Sequence, residues 1–235
     1  MRPPSENGGS ERELTGPPSL PILPSMKDFG NAPMGERDDR AGEGRPGLVI
    51  IHEWWGLNAQ IRGVASRLAA EGYRTLAVDL YRGRLPADAH EAQRLVGSGD
   101  KQQWSADLRA AVNAFLPAPV GVLGFSMGGA FALTTAALVP ALRACVSFYG
   151  VPRPGTDLTT TRAPVLGHYA RVDPHVTPER LEAIHAELTR AAVPTTIHLY
   201  DAPHSFFNEQ LDSYSPACAK LAWDRTLAFL RETLG

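Results

Sequence analysis

From residue 48 onward, short apolar and β-branched runs alternate with stretches whose apolar residues recur every three or four positions. Residues 48–51 read as a first strand. Ile61, Val64, Leu68 and Ala69 then fall at helical spacing, with Asn58 as the N-cap and Gly72 as the stop. Residues 75–78 resume the sheet. Trp104, Leu108, Ala111, Val112 and Phe115 mark the next helix, which Pro117 and Pro119 end before a strand at 120–123. Met127, Phe131, Thr134 and Leu138 line one face of the helix that follows, and 144–149 and 165–169 read as two more strands. Thr177-Pro178 is a cap and first-turn pair opening a helix with Leu181, Ile184 and Leu188 inward. A strand at 195–200 comes next, and Ser215-Pro216 opens a last helix with Trp223, Leu227 and Leu230 toward the core. This alternation predicts an α/β fold, a mostly parallel sheet with helices on both faces.

The 235 residues, 43% of them hydrophobic, are enough for one sizeable core, and a single domain over 48–235 is expected. Eight prolines and eight glycines crowd residues 1–47, so that arm is expected to be poorly ordered or packed on the surface. A net charge of -2 without a basic run argues against nucleic acid or an anionic membrane as partner. No apolar run approaches the roughly 18 residues of a membrane span, and no secretory signal pattern opens the chain. Cys145 and Cys218 are most simply reduced core thiols, in keeping with a cytoplasmic location. A small molecule is the expected partner, and the protein is expected to act as a monomer or homodimer.

In an open α/β sheet, ligands gather beyond the carboxyl ends of the strands, which directs attention to the polar residues placed there. Five stand out: Glu53, Asp79, Ser126, Asp173 and His204. Ser126 lies in Gly124-Phe125-Ser126-Met127-Gly128-Gly129 directly after a strand, the pattern of a nucleophile elbow, and Asp173 and His204 follow it in that order. Of the seven histidines, His52, His168 and His198 sit in strand patterns and His185 in a helix, where structural roles are expected, and His90 is expected to be exposed. His204 lies in a loop past a strand, where an imidazole reaches a neighbouring strand end. His168, Asp173 and His175 form a weak alternative as metal ligands, since no second cluster accompanies them. No metal or organic cofactor is expected.

The residues Val49 to Asn58, Val78 to Tyr81, Gly124 to Gly129, Gly167 to Ala170 with Asp173, and His204 to Phe207 resemble the dienelactone hydrolase family of the α/β-hydrolase fold. The resemblance implies hydrolysis of a cyclic enol-lactone by a Cys-Asp-His triad, with an oxyanion hole from the amides after the glutamate and after the nucleophile. Carried over, it assigns Ser126, Asp173 and His204 to the triad, Glu53 to a supporting role, and Trp54 and Met127 to the oxyanion hole. Ser126 replaces the family's usual cysteine, and Asn208 stands where the family has a carboxylate-binding arginine after the histidine motif, leaving Arg82, Arg84 and Arg94 to approach the pocket. Serine must lose its proton to the histidine as it attacks, which makes the expected mechanism esterase-like, with an acyl-enzyme. The expected activity is cleavage of a carboxylic ester or lactone, carboxymethylenebutenolidase-like. The alternatives are a general carboxylesterase or acyltransferase, or a non-catalytic ligand-binding member of the fold. Trp54, Trp55, Phe125, Phe206 and Phe207 are candidate walls of an apolar pocket, or core.

Overall fold

The computed structural model describes residues 35–235; positions 1–34 of the proline- and glycine-rich arm lie outside the described residues. In chain order the elements are β1 (Gly35–Asp38), β2 (Gly47–Ile51), α1 (Ala59–Ala70), β3 (Arg74–Val78), α2 (Ala89–Ser98), α3 (Lys101–Asn113), β4 (Val120–Phe125), α4 (Met127–Leu138), β5 (Ala144–Phe148), β6 (Val165–Ala170), α5 (Pro178–Arg190), β7 (Thr195–Tyr200) and α6 (Pro216–Leu234). The seven strands form one sheet in the order β1-β3-β2-β4-β5-β6-β7. All pairs are parallel except β1 with β3.

The central strands read as unbroken apolar runs because both faces are covered. In β2, Val49 and Ile51 point into a core shared with Leu95 of α2, Leu108 of α3, Leu133 of α4 and Leu188 of α5. Leu48 and Ile50 point the other way, against Leu68 of α1 and Leu230 of α6. Helix starts follow the sequence closely. The Asn58 side chain accepts from the Ile61 amide, and Thr177 accepts from the Arg180 amide with Pro178 in the first turn.

Three features differ from the pattern-based expectation. The domain begins earlier than residue 48, because β1 adds an antiparallel edge strand with Gly35 opposite Val78. Its sequence, Gly-Glu-Arg-Asp, carries no apolar signal; backbone pairing and the ion pairs Arg62–Glu36 and Arg74–Asp39 hold that edge. Helix α2 carries only two buried residues, Ala92 and Leu95, too few to show a period, although Asp88 caps it on the Glu91 amide. In α4 the stripe Met127, Phe131, Thr134 and Leu138 is the less buried one. The helix lies on the sheet through Gly128, Gly129, Ala132 and Ala136, whose small side chains allow the close approach the preceding turn needs.

Candidate active site

The turn from β4 into α4 leaves no room for side chains. A Cβ at Gly124 would collide with the Gly128 carbonyl, and one at Gly128 with the carbonyls of Ile51 and His52. Between these glycines Ser126 takes φ 51°, ψ -115°, a conformation that L residues adopt only when the surroundings enforce it. A serine at a helix N-cap ordinarily accepts from an amide of the first turn. Here the strained backbone turns Oγ away from the helix, and it makes no cap hydrogen bond. It meets His204 Nε2 instead, at 2.9 Å.

His204 stands in the loop after β7, and its Nδ1 lies 2.7 Å from Asp173 Oδ2. Asp173 comes from the loop after β6, where its other oxygen accepts from the amides of His175 and Val176 at 2.8 and 3.2 Å, fixing the carboxylate in place. Burial alone would raise the Asp173 carboxyl, but the bonds from His204 and the two amides outweigh it and hold the group below the usual carboxylate range. The imidazole is also pinned edge-on by the rings of Tyr149 and His175, at centroid distances of 5.1 and 4.8 Å.

Glu53, just past the end of β2, is 2% exposed and faces inward. The Tyr149 hydroxyl donates to Oε1 at 2.9 Å and the Asn208 amide to Oε2 at 2.8 Å. Burial pushes the Glu53 carboxyl up, while the two donors and nearby His204 act in the opposite direction without cancelling it. Burial and the adjacent Glu53 raise the Tyr149 phenol well above its ordinary range, which keeps it a donor. Tyr149 also has a left-handed backbone at φ 38°, held by its amide on the His168 carbonyl at 2.7 Å. Tyr149's part in the site was not read from the sequence, nor was the inward turn of Asn208. The available signals were an aromatic residue closing a strand and an amide side chain directly after two phenylalanines.

The Trp54 amide lies in the turn after Glu53 and the Met127 amide opens α4, where no intrahelical acceptor exists. Neither takes part in the turn and cap hydrogen bonds of the described residues. Asp79, the fifth strand-end candidate, closes its own loop by accepting from the Tyr81 and Gly83 amides at 3.0 and 2.5 Å. Phe125, Phe206 and Phe207 are core, Phe125 stacked on Phe148 and Phe207, and Phe206 packed against Tyr149 and Tyr200, whereas Trp54 and Trp55 are half-buried. His168 has both ring nitrogens engaged, by Tyr200 and Thr226, so its place is structural. Arg82 pairs with Asp107 at 2.5 Å, Arg94 with Glu91 at 3.9 Å, and Arg84 donates to the Tyr81 carbonyl at 3.4 Å. A cavity of about 790 Å³ runs between residues 152–159 and α5, but Ser126, Asp173 and His204 are not among its lining residues.

A mostly parallel sheet with helices on both faces, and a strained serine at the turn from a central strand into a helix, define an α/β-hydrolase. Residues 37–234 match the model of the dienelactone hydrolase family, and the chain belongs to that family, whose members are hydrolases acting on esters or lactones. Among its relatives is the protein usf of Aquifex pyrophilus, 32% identical over 208 residues that cover 81% of this chain and 90% of that one. A Bradyrhizobium protein named as a probable 2-oxo-3-(5-oxofuran-2-ylidene)propanoate lactonase is 29% identical, covering 79% and 83%. The crystal structure of a dienelactone hydrolase-like promiscuous phosphotriesterase from metagenomic libraries superposes with a TM-score of 0.74 at 27% identity, covering 86% of this chain and 92% of that one.

Proposed function

We propose that the protein hydrolyses a carboxylic ester or lactone through a covalent acyl-enzyme on Ser126. His204 takes the Ser126 proton as Oγ attacks the carbonyl carbon, and Asp173 fixes the imidazole tautomer and steadies the imidazolium. The carbonyl oxygen becomes an oxyanion facing the Trp54 and Met127 amides, each donor contributing about 3–4 kcal/mol by analogy with measured cases. Collapse of the tetrahedral intermediate passes the His204 proton to the leaving alkoxide. Water, deprotonated by His204, then attacks the acyl group and releases the acid. The scheme draws on protein groups and water alone, with a small molecule as substrate.

The observation that carries this reading is the unbroken chain Ser126 Oγ, His204 and Asp173, with links of 2.9 and 2.7 Å. A fluorophosphonate probe tests it. Labelling and ester turnover are expected in the wild type and in Ser147→Ala, whose hydroxyl is buried on the Gly150 carbonyl, and in Ser126→Ala both should fall by about a thousand-fold or more. Labelling that survives Ser126→Ala overturns the assignment.

A further inference from the structure

The loop after β5 and helix α5 enclose the cavity of about 790 Å³, a size suited to a small organic ligand. Its middle is apolar, with Pro152, Pro154, Leu158, Ala183 and Ile184 along the walls. Charge sits at the two ends. At the end away from the carboxyl ends of the strands the charges close on one another. Arg190 pairs there with Glu187, and Asp157, within the field of Arg190, accepts from the Thr159 amide and hydroxyl at 2.8 and 2.6 Å. At the other end two guanidinium groups face the cavity with no acid bonded to either. Arg180 donates to the carbonyls of His175, Val151 and Pro152 at 2.7, 3.3 and 2.9 Å, which occupies three of its five N–H donors and leaves its charge uncompensated. Arg153 is exposed and, among the described residues, its side chain makes no hydrogen bond or ion pair. Glu179 stands at this end as well, turned back on the helix start, where the Thr177 hydroxyl and its own amide hold its carboxyl below the usual range. The positive field reaches further. Burial, then the charge of Arg153, lowers the pKa of the Lys101 ammonium on α3, with Asp100 acting against them.

We propose that this cavity is a binding site, separate from the Ser126 centre, for an amphipathic monocarboxylate, with its anionic head on Arg180 and Arg153 and an uncharged alkyl or aryl body along Leu158, Ala183 and Ile184. Arg180 is already held by three carbonyls, so a carboxylate gains a charge-assisted bond without having to order the guanidinium first. A cationic head would meet two like charges, and a neutral one would gain hydrogen bonds without the ion pairing. The body removes apolar surface of the wall from water, which stabilises the complex in proportion to the area covered. A second anionic group at the far end would meet the carboxylates of Glu187 and Asp157, which restricts the ligand to a single negative charge. The inference stands whichever residue is the nucleophile.

Isothermal titration with phenylbutanoate and with phenylbutanamide, which has the same body and no charge, tests the site. The wild type should bind the carboxylate saturably at one site per chain, and the amide about ten-fold more weakly. Arg153→Glu should weaken carboxylate binding by about five-fold or more, while Arg153→Lys retains most of it. Ala183→Trp, which fills the middle of the cavity from an exposed helix position, should abolish it. The two positions lie on opposite walls, so a substitution that disturbs folding leaves the other to decide. Heat that never saturates, equal binding of the amide, or an affinity unchanged by both Arg153→Glu and Ala183→Trp overturns the proposal. The last result would place the carboxylate elsewhere, at the Ser126 centre or on the open surface.

Discussion

At Ser126 the backbone decides the chemistry. The strain of its dihedral angles, of order 1–3 kcal/mol, persists because flanking glycines and the adjoining strand leave the chain no alternative. Glu53 shows a different cost, that of a carboxyl group shut away from water. Since its folded pKa lies above the ordinary value of 4.5, the folded state holds the proton more tightly than the unfolded one, and Glu53's contribution to stability falls as the pH rises from 4.5 through the raised value. Gln has no proton to lose. The difference in melting temperature, wild type minus Glu53→Gln, should therefore shift steadily against the wild type across that window, as scanning calorimetry at a series of pH values would record. A flat difference would mean that Glu53 titrates as an exposed carboxyl does. Ser126, Asp173, His204 and Glu53 were picked out in the sequence because Ser126 directly follows a strand and the others are polar residues in the loops just beyond strand ends. Tyr149 and Asn208 were not legible as partners of Glu53, since nothing local in a strand-end tyrosine or an asparagine says that it will turn toward a residue from another strand.

Among the elements, α4 is the one whose sequence pattern and packing disagree. Its bulky stripe is the more exposed face, and its small face lies on the sheet. Packing by backbone approach leaves no slack. Gly128→Ala should cost about 1–3 kcal/mol in urea unfolding, or more if the elbow must open, and should lower the rate of phosphonate labelling as Ser126 shifts. Stability unchanged from the wild type would show that the strand and helix can separate without penalty. Helices α1 and α5 were read from cap residues and apolar spacing together. Helix α2 and strand β1 were not, because one is mostly solvated and the other is a short polar edge fixed by a neighbour distant in sequence.

Across the whole molecule, histidines that look alike in the sequence do different work. His168 ties three elements together. Thr226 gives its hydroxyl proton to the Ala222 carbonyl at 2.8 Å, so His168 Nε2 donates to Thr226 and Nδ1 accepts from Tyr200, the neutral tautomer that full burial favours. His168→Leu should take one partner from each of two buried hydroxyls, leaving Thr226 its bond to the Ala222 carbonyl and Tyr200 the one from Arg225, and lower the unfolding free energy by about 1 kcal/mol for each, while the folded fraction still labels at Ser126. His204→Ala should do the reverse, unfolding at nearly the wild-type denaturant concentration while losing labelling. Alternating strand and helix patterns, cap residues and the elbow motif determined the α/β architecture and the candidate nucleophile, because those signals act over a few residues. The assembly of the site was decided only by the tertiary structure. Ser126 and His204 are 78 positions apart, His204 and Asp173 are 31, and Glu53 and Asn208 are 155. Parallel pairing of the sheet brings their strand ends to one rim, and which donors then turn inward follows from the need of each buried polar atom for a partner.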